Sequence, residues 1–342
     1  MVMSRQLRRS FTSVEVCAGA GGQALGLEDA GFDHVALVEI DPTACLTLRH
    51  NRPGWNVIEA DVHKVEGHGW VGVDLLAGGV PCPPFSVAGK QHGADDERDL
   101  FPEMLRLTAE IQPRGVMVEN VRGLLGSRFD DYRKGVIRKL KRLGYAAEWR
   151  LLNACDFGVP QLRPRSILIA LRPDDFEFWE WPTGDRSQTP TVGQVLLPTM
   201  TANGWTGARQ WAKRANDIAP TLVGGSRKHG GADLGPTRAR AAWAALDVNG
   251  LGLADAVPES DHVGPPKLTV VQAAIIQGFP IEWEFQGRKT ASYRQVGNAF
   301  PPPVAQAIGE SIINTWRKAE RAATKRTLIQ DDNDLRSALA AI

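Results

Sequence analysis

Through the first half of the chain, short apolar runs alternate with segments whose apolar residues recur every three or four positions. The short runs read as strands and the three-to-four spacing reads as helix. Strands are expected over residues 13–17, 34–39, 56–59, 73–77 and 115–119, with helices over 23–30, 42–49 and 101–111 between them. A longer helical pattern over 132–143 leads into a hairpin-like pair, 145–153 and 166–171. Strands alternating with helices imply an α/β fold with a doubly wound, mostly parallel sheet.

After Arg172 the texture changes. The stretch DDFEFWEWPTGDRSQTPTVGQVLLPTM is rich in aromatics, proline and threonine, and the alternation stops. It reads as a linker into a second, smaller region, irregular or β-rich, with many glycines and few evident helices. Helical patterning returns over 267–277 and 304–318, and a charged tail follows. The expected division is one discontinuous body (1–180 and 281–320), a second domain (181–280) and the tail (321–342). No internal repeat is visible.

Composition narrows the function classes. A chain of 342 residues, 43% hydrophobic and 23% charged, is that of an ordinary soluble globular protein. The formal net charge of +1 gives no global field toward nucleic acid or membrane, so any basic surface must be local. No apolar run approaches the roughly 20 residues needed to span a bilayer. The basic start MVMSRQLRRS leads into no apolar signal core, so secretion is not expected. Cys17, Cys45, Cys82 and Cys155 lie far apart without CxxC spacing, which points away from a metal site or disulfide framework and toward a reducing cytoplasm.

Three stretches carry candidate chemistry. The first strand runs into AGAGGQALGLEDAGF, where Gly19, Gly21 and Ala24 fit the G-x-G-x-x-G/A fingerprint between strand and helix. Glu39, twenty residues beyond Gly19, ends the second strand, where a carboxylate can accept from both hydroxyls of a ribose. Asp61 follows the third strand, within reach of an adenine edge. These features indicate an adenosine-bearing cofactor and leave nicotinamide, flavin and S-adenosylmethionine open. In the second stretch, GGVPCPPFSVAGK, Cys82 is bracketed by prolines that bar a regular helix and hold its thiol in a narrow range of directions. In the third, VENV places Glu119 and Asn120 at the same sheet edge, and GVPQLRPR sets Arg163 and Arg165 on alternate positions, hence on one face if extended.

Together these motifs resemble the DNA (cytosine-5) methyltransferases of the bacterial modification type. The resemblance covers about residues 14–313 and includes AGAGG, PCPPFS, ENV, QLRPR, LTVVQAAIIQGFP and RQVGNAFPPP. It implies a Rossmann-like methyltransferase sheet, with 181–280 as a target-recognition domain. Cys82 would add to carbon 6 of a cytosine flipped out of double-stranded DNA, making carbon 5 nucleophilic toward S-adenosylmethionine, with S-adenosylhomocysteine as product. Glu119 would hydrogen-bond the exocyclic amine and ring nitrogen 3. Asn120 stands beside it, Arg165 would contact the base carbonyl or the adduct, and Arg163 would support the site and backbone. For the cofactor the resemblance implies Cys17, Ala18, Gly19, Ala20 and Gly22 around methionine and ribose, and Glu39, Ile40, Asp61 and Val62 around ribose and adenine. Pro81 and Leu100 would line the wall, with Asn298 and Ala299 returning to the methionine end. Two departures stand out: Cys17 where the family more often has an aromatic, and Lys267 and Gln272 where Arg and Glu are usual.

DNA contacts are expected from Phe85 and Ser86, framing the flipped base, and from Arg227, Lys228, Arg238 and Arg240 in a locally basic stretch that also holds the Thr221–Leu222 pair. The resemblance further implies a cytoplasmic monomer, linked in function to a companion restriction endonuclease rather than bound to it. Two rival readings are an RNA cytosine methyltransferase of the same build and a nicotinamide oxidoreductase. The second leaves Cys82, Glu119 and Arg165 unexplained.

Overall fold

The strand-forming runs appear in the computed structural model as β1 (Phe11–Val16), β2 (Phe32–Glu39), β3 (Val57–Glu59), β4 (Leu75–Gly78), β5 (Gly115–Val121), β6 (Ala146–Asn153) and β7 (Pro164–Leu171). The structure describes residues 10–81, 99–224 and 233–340, with side chains to residue 329. These strands form one sheet in the order β3-β2-β1-β4-β5-β7-β6. The first five pair in parallel, and β7 runs antiparallel between β5 and β6. The doubly wound expectation therefore holds, and so does the hairpin-like pair.

Helices α1 (Gly22–Ala30), α2 (Pro42–Asn51), α3 (Phe101–Ile111) and α4 (Asp130–Arg142) follow their strands as the periodicity predicts. One sheet face packs Val14, Val16, Leu76, Val116 and Val118 against Met104 and Leu107 of α3 and Val136 and Leu140 of α4. The other packs Phe11, Leu75, Ala77, Met117 and Ile169 against Leu27 of α1 and the apolar stripe Ile308, Ile312 and Trp316. A sheet buried on both faces must carry near-continuous apolar strands, which is why this half reads clearly.

The linker holds the single-turn helix α5 (Pro173–Phe176). Beyond it the expectation of an irregular region holds between short helices, and its β-rich alternative is corrected. Among the described residues, 181–280 contains α6 (Val192–Met200), α7 (Ala208–Arg214), α8 (Thr237–Ala244) and α9 (Val270–Gln277), and no strand beyond isolated bridges such as Gly204–Glu259. Its core is built on Trp205, Trp211 and Trp243 with Leu196, Met200, Leu268 and Ile276. Short helices packed on indoles need little periodicity. Two of them, α6 and α9, are held instead by capping boxes, in which Thr191 and Thr269 accept from the backbone of Gln194 and Gln272 while those side chains reach back. The same core takes in Phe279, Trp283 and, from α10 (Lys289–Asn298), Tyr293 and Val296, so it continues past residue 280.

The last helix, α11 (Pro302–Ala340), runs beyond the expected 304–318 and takes most of the tail into regular structure. Ion pairs hold it: Glu320 to Arg114 at 2.5 Å and Lys318 to Glu180 at 2.8 Å. Glycine is required where α11 begins, because a Cβ on Gly26 would lie 2.2 Å from the Pro302 carbonyl oxygen and one on Gly22 2.1 Å from that of Phe300. Among the described residues no helix is long and apolar enough to cross a membrane.

Candidate active site

Strand order reverses between β1 and β4, and the carboxyl ends of those two strands frame the crevice in which doubly wound sheets hold their ligands. The loop after β1 enters it with Cys17 and Gly19 both at φ 55° and Gly21 at φ 88°. A Cβ on Gly19 would meet nothing within 4 Å, so the backbone there borders open space. Glu39 is buried at the end of β2. Its carboxylate accepts from Gly19 N at 2.7 Å and from the Ile40 and Asp41 amides at 2.9 and 2.8 Å. Burial raises its pKa and these amides pull it back. Beside it Ile40 is 63% exposed, an apolar side chain facing solvent at the crevice rim. An adenosine-bearing group fits this set: open backbone, an acid for the ribose, an apolar cover for the base.

The remaining residues expected at the cofactor divide by exposure. Ala18, Ala20, Gly22, Val62 and Ala299 are buried, whereas Pro81 and Asn298 are exposed and Leu100 is half-buried. Asp61 caps a short turn, accepting from His63 N and pairing with His63 Nδ1 at 2.8 Å, which holds its carboxyl below the usual range.

Gly79, just past β4, joins the cofactor loop to the acid. A Cβ built there would stand 3.4 Å from Glu119 Oε2 and 3.8 Å from the Cys17 carbonyl oxygen. Glu119 is almost fully buried near the end of β5. Burial raises its pKa, and the opposing guanidiniums of Arg165 and Arg163 offset part of the rise. The antiparallel register sets Val121 opposite Arg165, so Arg165 Nε reaches Glu119 Oε1 at 2.7 Å. Asn120 donates to the Val80 carbonyl at 2.9 Å and accepts from Val121 N at 2.8 Å. It thereby ties β5 to the segment that delivers Pro81 and Cys82.

Arg163 is placed differently from its neighbour. It is 1% exposed, donating to the carbonyls of Leu222 and Gly297 at 2.7 Å each. Burial and the nearby Arg165 charge lower its pKa well below the ordinary value. Its guanidinium is thus turned to backbone carbonyls, with the Glu119–Arg165 pair nearby. Gln161, which motif reading passed over, completes this clasp: it accepts from Leu222 N at 2.8 Å and donates to Gln277 Oε1 at 2.7 Å. Gln277 in turn donates to the Ala299 carbonyl. The available signal was a glutamine ending an apolar helix, VVQAAIIQ, where an exposed polar residue would be ordinary.

The described thiols are poor nucleophiles. Burial pushes both Cys17 and Cys45 up to about 12, with nearby carboxylates adding to the rise, and burial raises Cys155 as well. Cys82, Phe85, Ser86, Arg227 and Lys228 lie outside the described residues. Of the other DNA-contact expectations, Arg238 is exposed on α8, while Arg240 is half-buried with its stem over Gly250. Arg214 is spent on Asp247 at 2.8 Å.

Comparison with known proteins agrees with this arrangement. The sequence profile described as C-5 cytosine-specific DNA methylase matches residues 11–314. The chain is 54% identical to type II methyltransferase M.NaeI of Lentzea aerocolonigenes over 97% of its length and 81% of that protein. It is 52% identical to type II methyltransferase M.NgoMIV of Neisseria gonorrhoeae, over 90% of this chain and 99% of that one. Among solved structures, a DNA modification methyltransferase described as putative, from an Escherichia coli prophage, superposes with a TM-score of 0.64 at 23% identity, covering 90% of this chain and all of that one. The Spodoptera frugiperda DNMT2 mutant follows at 0.63 and 18%, covering 89% of this chain and all of that one, a likeness of fold. By its motifs, its sheet order and this match across most of its length, the chain belongs to the C-5 cytosine-specific DNA methylases.

Proposed function

We propose that this methylase transfers a methyl group from S-adenosylmethionine to carbon 5 of a cytosine flipped out of double-stranded DNA at a short specific site, through a transient bond from Cys82. The carrying observation is Glu119, buried and 2.7 Å from Arg165, with Gly79 joining it to the cofactor loop. The cofactor, when bound, supplies an electrophilic methyl group. Gly19, Glu39 and Ile40 are the residues that would hold it.

The protein's own part follows from its side chains. The Cys82 thiolate adds to carbon 6, and the displaced ring electrons are received as Glu119 donates a proton toward nitrogen 3. A raised carboxyl pKa suits that role, since a buried acid keeps its proton nearer to neutral pH. Arg165 holds Glu119 oriented and would meet the base carbonyl. Carbon 5 takes the methyl group and then gives up its proton to solvent water, nitrogen 3 returns its proton to Glu119, and the sulfur–carbon bond breaks to restore the Cys82 thiolate. The three described thiols are all raised by burial, which favours Cys82 as the nucleophile. Extruding the base costs a few kcal/mol, supplied by binding.

The two type II relatives favour a modification enzyme that protects DNA from a companion endonuclease. The protein is to be incubated with labelled S-adenosylmethionine and either duplex DNA or transfer RNA, and modified cytosines mapped. Label at carbon 5 of one cytosine within a recurrent DNA site is expected. Label confined to RNA, or none, contradicts the proposal.

A further inference from the structure

Helix α4 carries charge that the chemistry above does not use. Residues 122–150 hold nine lysines and arginines against three acids, in a chain whose net charge is +1. Lys134, Arg138, Lys141 and Arg142 are exposed and recur three or four positions apart, so they share one helix face. Val136 and Leu140, on the opposite face, are buried against the sheet.

Ordinary explanations cover only part of this. The helix dipole favours cations in the last turn, which accounts for Lys139, Lys141 and Arg142 but not for Lys134 or Arg138. Among the described residues none of the four facing cations is paired with a carboxylate. Arg133 shows the contrast: it is paired with Asp130 and donates to the carbonyls of Leu124 and Gly126 at 2.5 and 3.1 Å. Lys134 and Arg138, and Arg138 and Arg142, are like charges four residues apart, a spacing at which they repel and weaken the helix. A helix that keeps such repulsion is set up for an anionic partner.

The same helix is tied to the active-site edge. Arg133 pins the loop that follows Asn120, and that loop exposes Arg122 and Arg128. Tyr132 Oη donates to Asp99, which lies immediately before α3, at 2.7 and 2.8 Å. Positive surface therefore runs from the carboxyl end of β5 along α4. Residues 134 to 142 span about 12 Å of helix, comparable to several phosphates of one strand at about 3.4 Å each.

We propose that the Lys134–Arg138–Lys141–Arg142 face of α4 is a docking surface for the phosphate backbone of duplex DNA flanking the methylated site. It rests on the DNA reading above and extends it: the face would add affinity and footprint without reading sequence, as phosphate contacts do.

The test neutralises the face in the full chain as K134Q/R138Q/K141Q/R142Q. Binding is measured against salt on a duplex that just spans the site and on one extended by about two helical turns. On the long duplex the slope of log affinity against log salt should become shallower by about 2 to 4, with methylation of the short duplex unchanged and the thermal midpoint not lowered. An unchanged slope, or an equal loss on both duplexes, overturns the proposal. Failure of the parent protein to methylate any DNA overturns the reading beneath it instead.

Discussion

The sheet body and the tryptophan-centred region solve the same packing problem by different means. In the sheet body, backbone ladders fix the strands and apolar side chains cover both faces, so each chemical group sits at a position set by register. Arg165 meets Glu119 because β5 and β7 are antiparallel neighbours aligned at Val121. In the second region short helices cluster on indoles, and its attachment to the body is made by backbone carbonyls gripped by Arg163. Rigid register carries the Glu119–Arg165 pair; a clasp of buried polar atoms holds the second region beside it.

The sharpest way to isolate the first region is Glu119→Gln. The amide keeps the shape and cannot act as the acid, so turnover should fall by about 10²–10⁴-fold with the fold retained. On the proposed mechanism the protonated acid is the active form, and its pKa lies above the ordinary value of 4.5. The rate should therefore decline as pH rises through that pKa, and the variant should lose this limb. Retention of the limb would move the role to another group.

The seating of α10 on Val223 and Gly224 within the second region is probed by Gly297→Ala. A Cβ there would lie 2.3 Å from Gly224 N and 2.4 Å from its Cα, so backbone must part from backbone. A loss of about 1–3 kcal/mol in unfolding stability is expected, with weaker DNA binding because Thr221–Gly224 shifts. Native stability would show that the glycine contact does not hold α10 in place.

The mildest change lies within the sheet. Glu15 is 1% exposed in β1, and burial raises its pKa well above 4.5. The unfolded chain releases this proton first, so stability falls as pH rises from the unfolded value through the folded one. Glu15→Gln should therefore raise the thermal midpoint at neutral pH, and the gain should vanish below about pH 4, where both states are protonated. A gain independent of pH would assign the effect to packing.

What could be read in advance follows the same division. Strands β1 to β5 and helices α1 to α4 carried apolar runs or stripes long enough to show period and type. The glycine loop, Glu119 and Arg165 were legible because close backbone approach and acid–base chemistry restrict the residue choice. The region 181–280 hid its helices: α6 contains Pro198, and α8, TRARAAWA, has no strong apolar stripe. Gln161 and Gln277 were silent because a polar residue gives no sign in sequence of being buried. Spacing alone put Arg163 and Arg165 on one face, and the resemblance gave Arg163 the supporting place; its actual partners, the carbonyls of Leu222 and Gly297, lie too far along the chain to be read in advance.

The central claim is that one sulfur bonds transiently to the base. A duplex bearing 5-fluorocytosine at the mapped position cannot release the carbon 5 substituent as a proton. The protein is to be mixed with this duplex and S-adenosylmethionine, and its intact mass recorded under denaturing conditions. A stable one-to-one adduct attached at Cys82, absent from Cys82→Ser, is the expected result. No adduct in the parent protein, or full turnover by Cys82→Ser on ordinary cytosine, would contradict the account.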